Sequence, residues 1–297
     1  MIGSVLTQVQ ARLEGHSETP GLDGQVLLSH VLGRPRAWVL AHPEVDLSIE
    51  QMTSLQARLA RLEKGEPLPY VLGRWEFYGL EFEVTPATLI PRPETELLVE
   101  TALDWLRHRP DRRLAADVGT GTGCIAIALA VHLKELQVTA TDISLPALHT
   151  ARDNAEKHGV TAHIRFVLSD LFPPTAERYD LVCANLPYIP SQQLPQLEIY
   201  GKEPALALDG GLVGLDLIRR FLQFAPERVL PGSLLLLEIE ASQGDRAQAL
   251  ARAAFPEAEV QVHPDLAGRD RLISIQTTPT YGPYHGRSQR DNLHSYL

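Results

Sequence analysis

Apolar residues recur at helical spacing through the first part of the chain. Residues 5–13 and 26–32 each place aliphatic side chains on one face of a helix, as a period of 3.6 residues requires. A third helix begins after Ser48, and Gln51 has the spacing of its capping-box partner. No run here alternates as a strand would, so the pattern predicts a small all-helical domain over residues 1–74.

The pattern changes between residues 67 and 90. Aromatic and β-branched residues alternate there around Gly79, which is typical of a hairpin with a tight turn. We assign residues 75–90 to a β-hairpin linker between two domains. Its aromatic content indicates that it packs against its neighbours.

Strands and helices alternate from residue 91 to 278. Seven strand-like runs separated mostly by helices predict an α/β fold, with a mostly parallel, Rossmann-like sheet covered on both faces. Only a short loop joins the last two strands, near 258–263 and 271–276, so these should pair antiparallel at one edge. Residues 279–297 show no periodicity, and we expect them to form either a disordered tail or a docked extension.

Composition and charge restrict the possible partners. The chain has 297 residues, more than one core of usual size, which agrees with two domains. The formal net charge is -10, and the excess acid lies in residues 75–278, which argues against extensive contact with nucleic acid. Two cysteines cannot form a disulfide framework, and neither a signal peptide nor a membrane-spanning run is visible. We therefore expect a cytoplasmic protein that binds neither nucleic acid nor membranes.

The first chemical motif is D-V-G-T-G-T-G at residues 117–123, between an apolar strand and an apolar helix. Glycines at such a turn let a ligand approach the backbone closely. Asp142 ends the next strand, where a carboxylate can accept hydrogen bonds from ribose, and Asp170 ends the third strand, within reach of an adenine amino group. A tight strand-to-helix turn followed by two aspartates that cap helices would give the same sequence without any ligand. Their shared position at the carboxyl edge of the sheet favours an adenosine-containing cofactor.

Other common catalytic motifs are absent from the sequence. It contains no G-x-x-x-x-G-K-[ST], no H-E-x-x-H and no G-x-S-x-G. P-loop nucleotidase, zinc protease and α/β-hydrolase chemistry are therefore disfavoured, and no metal is expected.

The second chemical motif, Asn185-Leu186-Pro187-Tyr188, directly follows the fourth strand of the sheet. The Asn185 side-chain carbonyl and the next backbone carbonyl can accept both N–H bonds of a planar amino group. Pro187 restricts the turn, and Tyr188 is expected to supply an aromatic wall. An Asn-Pro-type turn that merely ends the strand is the alternative reading.

These motifs together resemble a known family. The strand-end N-x-P-Y and the glycine-rich turn are similar to class I S-adenosylmethionine-dependent methyltransferases that modify planar nitrogens. More specific are I-P-R-P-E-T-E at 90–96, E-P-A-L at 203–206 followed by G-G and G-L-D at 210–216, and D-L-A-G-R-D-R at 265–271. With them, residues 1 to about 278 resemble the HemK/PrmC family, which methylates N5 of glutamine in peptide chain release factors.

The resemblance implies a seven-stranded class I methyltransferase sheet with an antiparallel last strand, S-adenosyl-L-methionine as cofactor and a release factor as partner of a monomeric enzyme. It implies that the glutamine of a Gly-Gly-Gln loop is the substrate and that the helical domain docks the partner. The implied cofactor-binding residues are Gly119, Thr120, Gly121, Thr122, Gly123, Asp142, Asp170, Leu171 and Asn185. Asn185, Leu186, Pro187 and Tyr188 would bind the substrate, with Asn185, Pro187 and Tyr188 as the catalytic set.

One position departs from the family pattern. The family usually reads N-P-P-Y, whereas Leu186 replaces the first proline here; its backbone carbonyl is still available as an acceptor. N-L-P-Y also resembles rRNA adenine dimethyltransferases, which would need a basic RNA surface. A nucleic-acid adenine-N6 methyltransferase, a glutamine methyltransferase for a ribosomal protein and a binding module without turnover are the alternatives.

Overall fold

A computed structural model describes residues 1–279 of the chain, so nearly all of the predicted tail, residues 279–297, lies outside the described residues. The first part is helical: α1 (Ile2–Leu13), α2 (Pro20–Leu32), α3 (Arg36–Ala41), α4 (Ile49–Leu62) and α5 (Leu68–Leu72). The capping box of α4 forms as predicted, because the Gln51 N–H donates to Ser48 Oγ and the Ser48 N–H donates to Gln51 Oε1. The sequence pattern missed α3 and α5, which are too short to show a periodic apolar stripe.

The predicted hairpin consists of β1 (Arg74–Phe77) and β2 (Leu80–Glu83), paired antiparallel. Its two turn residues, Tyr78 and Gly79, have φ values of 53° and 73°, which matches the right-handed twist of a tight hairpin. Buried Asn154 accepts a hydrogen bond from the Glu83 N–H at 2.7 Å and donates to the Thr122 carbonyl at 3.0 Å. The hairpin is therefore packed, as its aromatic content predicted, and is tied to the glycine-rich turn.

The rest of the described chain alternates helix and strand around one seven-stranded sheet. The helices are α6 (Glu96–Arg107), α7 (Cys124–His132), α8 (Leu145–Lys157), α9 (Asp216–Phe224) and α10 (Gly244–Ala254). The strands are β3 (Leu114–Val118), β4 (Gln137–Asp142), β5 (Ile164–Leu168), β6 (Tyr179–Ala184), β7 (Val229–Glu238), β8 (Glu259–Pro264) and β9 (Asp270–Gln276). The bounds of β8 and β9 lie within one residue of those expected from the sequence, near 258–263 and 271–276. A 3₁₀ turn over Pro93–Thr95 precedes α6.

The strand order is β5-β4-β3-β6-β7-β9-β8, and β9 alone runs antiparallel to both of its neighbours. The order reverses between β3 and β6, where the connections leave opposite sides of the sheet and a crevice opens at the strand ends. Along β7 successive leucines alternate between two cores: Leu234 and Leu236 pack on one face, Leu235 and Leu237 on the other. This is the predicted class I methyltransferase sheet. No helix within residues 1–279 has the length and apolar character needed to cross a bilayer.

Candidate active site

One large cavity opens at the carboxyl ends of β3, β4, β5 and β6, with a volume of about 790 Å³. Both chemical motifs reach it, together with the Pro91–Thr95 stretch and the loop around residues 204–211. A cavity of this size suits a ligand as large as a nucleoside with an amino-acid arm. Gly123 and Tyr188, within the described residues, stand just outside its lining.

The glycine-rich turn forms one wall. Its glycines all have positive φ, and Gly119 approaches Leu186 so closely that a Cβ there would lie 3.2 Å from Leu186 Cδ2. A Cβ on Gly121 would meet no atom within 4 Å, so the backbone is open on that side. The N–H groups of Gly119 and Thr120 both donate to the Thr141 carbonyl, which anchors the turn to the end of β4. The turn thus offers bare backbone to a ligand, as glycines at such positions do.

Asp142 lies beside this turn at the end of β4. Its Oδ2 accepts a hydrogen bond from the Gly121 N–H at 2.9 Å, and its Oδ1 accepts from the Ser144 N–H at 2.8 Å. Burial raises the pKa of this carboxyl, while the backbone donors lower it. Each carboxylate oxygen can accept a second hydrogen bond, and the side chain lines the cavity. This geometry fits an acceptor for a pair of ribose hydroxyls.

Asp117 lies below the same turn and is fully buried. Its Oδ2 accepts hydrogen bonds from the Thr120 hydroxyl and the Ala126 N–H, whereas its Oδ1 has no partner among the described residues. Burial raises the pKa of Asp117 to about 6. Asp117 therefore supports the turn from inside the fold.

Asp170 and Leu171 lie at the opposite side of the cavity, after β5. The Asp170 carboxylate is half-exposed and pairs with Arg220 at 2.7 Å. Leu171 has a φ of 65°, unusual for a residue with a Cβ, and its carbonyl accepts a hydrogen bond from the buried Thr141 hydroxyl. A strained backbone held in this way is common at ligand sites. The pair remains a predicted adenine-binding element.

Asn185 lines the cavity directly after β6, and Thr95 sets its orientation. Its Nδ2 donates to the Thr95 hydroxyl oxygen at 3.0 Å. Asn185 Oδ1 has no hydrogen-bond partner within residues 1–279, so it is free to accept one from a ligand. Leu186 is 4% exposed, and its side chain packs into the core beneath Gly119. Burial of this side chain anchors the backbone of the motif at Leu186.

The Tyr188 ring does not form the aromatic wall of the cavity that was expected. Its hydroxyl turns inward and donates to Glu238 Oε1 at 3.3 Å, while its carbonyl accepts from Gln243 Nε2 at 2.8 Å. Glycine makes this close packing possible, since a Cβ on Gly210 would lie 2.7 Å from Tyr188 Cα. Tyr188 therefore connects the motif to buried groups behind it.

Two loops that border the cavity are joined by an ion pair. Arg92 pairs with Glu203, which is 6% exposed, and the other Glu203 oxygen accepts from the Ile90 N–H at 3.1 Å. Burial and the nearby Glu203 carboxylate raise the pKa of Tyr70, whose hydroxyl donates to the Thr88 carbonyl. Glu203 thus anchors the start of the P-R-P-E-T-E stretch, because its two oxygens bind Ile90 and Arg92 on either side of Pro91.

Two known families match consecutive parts of this chain. The PrmC N-terminal domain matches residues 4–73, and the methyltransferase small domain matches residues 93–199. The release factor glutamine methyltransferase of Moorella thermoacetica is 42% identical over 261 residues, which cover 87% of this chain and 92% of the relative. That of Bordetella pertussis is 41% identical over 257 residues, covering 85% of this chain and 93% of the relative.

The chain belongs to the release factor glutamine methyltransferase family. It is a methyltransferase, as the class of its sheet and the matched family indicate. The resemblance read from the motifs is confirmed.

Solved methyltransferase structures share the fold. The hMettl16 catalytic domain in complex with the MAT2A 3'UTR hairpin 6 superposes with a TM-score of 0.54 at 17% identity, covering 76% of this chain and 84% of that one. The T. Thermophilus 16S rRNA N2 G1207 methyltransferase in complex with AdoMet and guanosine gives 0.50 at 16% identity, covering 69% and 49%. At these identities the likeness concerns the sheet and its helices alone.

Two residues beside the site, Thr95 and Glu238, were not predicted from the sequence. Thr95 stands inside P-R-P-E-T-E, and Glu238 ends the apolar run S-L-L-L-L-E. A carboxylate at the end of a buried strand is the same signal that drew attention to Asp142. It could have marked Glu238, but nothing in the sequence pairs Thr95 with Asn185.

Proposed function

We propose that this protein methylates the side-chain amide nitrogen, N5, of the glutamine in the Gly-Gly-Gln motif of class 1 peptide chain release factors, with S-adenosyl-L-methionine as methyl donor. The observation that carries the proposal is the Asn185 amide at the cavity wall, with Nδ2 engaged by Thr95 and Oδ1 free to accept a hydrogen bond. Relatives named release factor glutamine methyltransferase, similar over most of their length, support the substrate.

The cavity fits the proposed cofactor. Gly121 leaves open the space that a Cβ would fill, and the Asp142 carboxylate at its side retains acceptor capacity for ribose hydroxyls. The cofactor supplies a methyl group on a positively charged sulfur. Gly119, Thr120, Gly121, Thr122 and Gly123 would hold the methionine part, and Asp170 with Leu171 the adenine.

Asn185 would act by orienting the glutamine amide. An amide nitrogen is a weak nucleophile because its lone pair is delocalised into the carbonyl. When Asn185 Oδ1 and the Leu186 carbonyl accept its two N–H bonds, the lone pair is directed towards the methyl donor, and positive charge developing on nitrogen is stabilised. Pro187 restricts the backbone that carries both acceptors, and Tyr188 secures it from behind.

No strong base is required at the acceptor nitrogen, because the proton can leave after the methyl group has transferred. The Asp142 carboxylate would attract the positively charged cofactor before methyl transfer and would therefore favour cofactor binding more than the chemical step. Alignment of the two reactants is the main contribution of the protein.

The helical part formed by α1 to α5 is the proposed docking element for the release factor, since residues 4–73 match the PrmC N-terminal domain. The proposed enzyme acts as a monomer in the cytoplasm and needs no nucleic acid. Its helical part is nearly neutral, which suits recognition of a protein by shape and apolar contact.

The test is incubation of the purified protein with radiolabelled S-adenosyl-L-methionine and purified release factor, followed by peptide mass mapping. A single methyl group on the Gly-Gly-Gln glutamine is expected. A release factor with Gln replaced by Ala in that motif is the matched control. Methylation of a ribosomal protein instead, or retention and methylation of RNA or DNA in a filter-binding assay, would contradict the proposal.

A further inference from the structure

The D-L-A-G-R-D-R motif, which the proposed chemistry does not use, forms the turn between β8 and β9. The Asp265 carboxylate holds this turn, because its Oδ1 accepts from the Ala267 N–H at 2.9 Å and from the Arg269 N–H at 3.0 Å. Its Oδ2 pairs with Arg271 Nη2 at 3.3 Å. Arg271 Nη1 donates to the carbonyl of Ile239, directly after β7, at 3.3 Å. The turn is therefore rigid and is fixed to the end of the neighbouring strand.

Leu266 stands at the tip of this turn with its side chain fully exposed. Because β9 runs antiparallel to β7, the turn before β9 lies at the carboxyl edge of the sheet, where the cavity opens. Two to three strand spacings separate it from Asn185 at the end of β6. At about 4.8 Å for each spacing, Leu266 is roughly 12 Å from Asn185 along the edge. One exposed leucine is ordinary on a protein surface, but other apolar side chains share this edge.

The loop before α9 carries three of them. Leu212 and Val213 are 68% and 41% exposed, and Leu206, at the cavity wall, is 59% exposed. The loop is bonded to the backbone that follows the Asn185 motif, since the Ile189 N–H donates to it at 3.1 Å and the Ile189 carbonyl accepts from it at 2.8 Å. These apolar side chains therefore protrude from a rigid loop, as Leu266 does from its turn.

Contacts within the fold bring this loop and the β8–β9 turn together. Gln243 is buried just before α10, and its Nε2 donates to the Gly214 carbonyl at 3.3 Å. Gly244 follows Gln243, and a Cβ on Gly244 would overlap the carboxylate of Asp270, the first residue of β9. The exposed apolar side chains thus lie on adjoining segments that run from the cavity outwards along the carboxyl edge. We define the apolar shelf as Leu206, Leu212, Val213 and Leu266.

We propose that the apolar shelf is a docking surface for the protein substrate and binds an apolar segment of the release factor beside its glutamine loop. The shelf is continuous with the cavity, so a chain whose glutamine reaches Asn185 passes over the rim that the shelf forms. At about 3.3 Å per residue, an extended chain reaches Leu266 within about four residues. Uncharged apolar side chains suit a polypeptide and offer no partner to a phosphate backbone. This inference rests on the proposed function, because it adds a second contact for the same substrate.

The first test measures methylation of full-length release factor by Leu266→Ser, Leu212→Ser and the double variant. Serine at these exposed positions removes the apolar contact and leaves the core intact. We expect KM for the release factor to rise about fivefold in each single variant and about twentyfold in the double variant. The kcat and the cofactor affinity should stay within about twofold, because the lost contact is equal in the ground state and the transition state. Leu266→Met keeps an apolar side chain and should keep the KM of the unmodified enzyme.

Phe224→Ser is the matched control. Phe224 is a half-exposed apolar residue at the end of α9, which returns the chain to the start of β7 at the opposite edge of the sheet. Its KM should equal that of the unmodified enzyme. Equal KM in the double variant and the unmodified enzyme would overturn the docking role and leave the proposed function intact. Absence of glutamine methylation by the unmodified enzyme would refute the proposed function.

A second readout does not depend on methyl transfer, so it still decides the docking role if the proposed function fails. The chain has two cysteines, Cys124 and Cys183, and both are buried. Leu266→Cys and Phe224→Cys therefore each provide one exposed thiol for a maleimide photocross-linker. We expect position 266 to cross-link to the segment around the glutamine loop of a release factor with Gln replaced by Ala, and position 224 to give no cross-link. A cross-link from position 266 only to distant parts of the release factor or to a second copy of the chain, or none at all, would overturn the proposal.

Discussion

The two ends of the parallel sheet treat buried carboxylates in opposite ways. At the start of β6, Asp180 accepts hydrogen bonds from Arg112 Nη1 at 2.9 Å, the Arg113 N–H at 3.0 Å and the Leu114 N–H at 3.1 Å. At the carboxyl ends, Asp117 and Glu238 each leave one oxygen without a partner among the described residues. Burial raises the pKa of Asp117 to about 6 and that of Glu238 to about 7.

This difference separates structural carboxylates from those that support a site. A fully bonded acid stabilises the fold, whereas a buried acid left short of hydrogen-bond donors destabilises it. The cavity opens only at the second end, so the distribution of unpaired acceptors and the position of the site agree. The following experiments test that contrast.

The largest effect is expected from Asn185→Ala at the carboxyl end. Methyl transfer should fall about 10³-fold or more, because the alignment of the substrate amide is lost. Cofactor affinity, measured by calorimetry, should stay within about tenfold, since the adenosine pocket is unaltered. Near-normal turnover of this variant would refute the assignment of the acceptor.

At the other end, Asp180→Ala should reduce stability and leave chemistry alone. It would remove three hydrogen bonds and leave the partly buried Arg112 with only the exposed Asp111 as an acidic partner, a loss of about 3 kcal/mol in the free energy of unfolding. Urea denaturation measures this loss, and kcat per folded molecule at 25 °C should be unchanged. A loss of kcat in the folded fraction would remove the distinction between the two ends.

Glu238→Gln should raise stability at neutral pH. The pKa of Glu238 is raised in the folded state, so the folded protein retains a proton that the unfolded chain loses. That contribution is fully present below the unfolded pKa of about 4.5 and is lost as pH rises to about 7. The variant should therefore gain about 2 to 3 kcal/mol relative to the unmodified protein above pH 7, and little at pH 4.5. If the free energy of unfolding of the variant and of the unmodified protein depends on pH in the same way in denaturant titrations, the pKa of Glu238 is not raised in the folded state.

Asp142→Ala tests the acceptor that faces the cofactor. It should weaken S-adenosyl-L-methionine binding about tenfold to thirtyfold, the loss expected for hydrogen bonds to a charged group. Calorimetry measures the affinity, and Asp104→Ala, an exposed acid on α6 outside the cavity, is the control. An unchanged affinity would mean that the ribose contact is misassigned.

The smallest effect is expected from Leu186→Pro. The substitution creates the usual N-P-P-Y and keeps the backbone carbonyl that accepts a substrate N–H, so kcat should stay within about threefold. The lost aliphatic contact beneath Gly119 should lower the melting temperature slightly. A change of kcat beyond tenfold would show that the Leu186 side chain itself sets the geometry of the loop.

Most of the fold could be predicted from local patterns. The capping box at Ser48, the two-residue turn at Tyr78 and Gly79, and the alternation of strand and helix each arise from chemistry within a few residues. The short helices α3 and α5 were missed because they have too few turns to show a period. Asn185, Asp142 and the glycine-rich turn were found because each ends or follows a buried strand.

The partners of those residues could not be predicted in the same way. Thr95 and Asn185 are 90 positions apart, and Tyr188 and Glu238 are 50 apart. Their contacts depend on the register of β6 against β7 and on the path of the 3₁₀ turn before α6, and no local pattern encodes either. Tyr188 illustrates the limit, since its motif suggested a cavity wall and the packing turned its hydroxyl towards Glu238.

The sequence by itself determined the strand-end chemistry, because polar residues and glycines that interrupt apolar runs mark the sheet edge wherever the strands come to lie. Only the tertiary structure decided how that chemistry is supported. Which acids are fully bonded, as Asp180 is, and which are left short of donors, as Glu238 is, depends on contacts between distant segments. Those contacts form only when the whole sheet is assembled and the cores on both of its faces are packed.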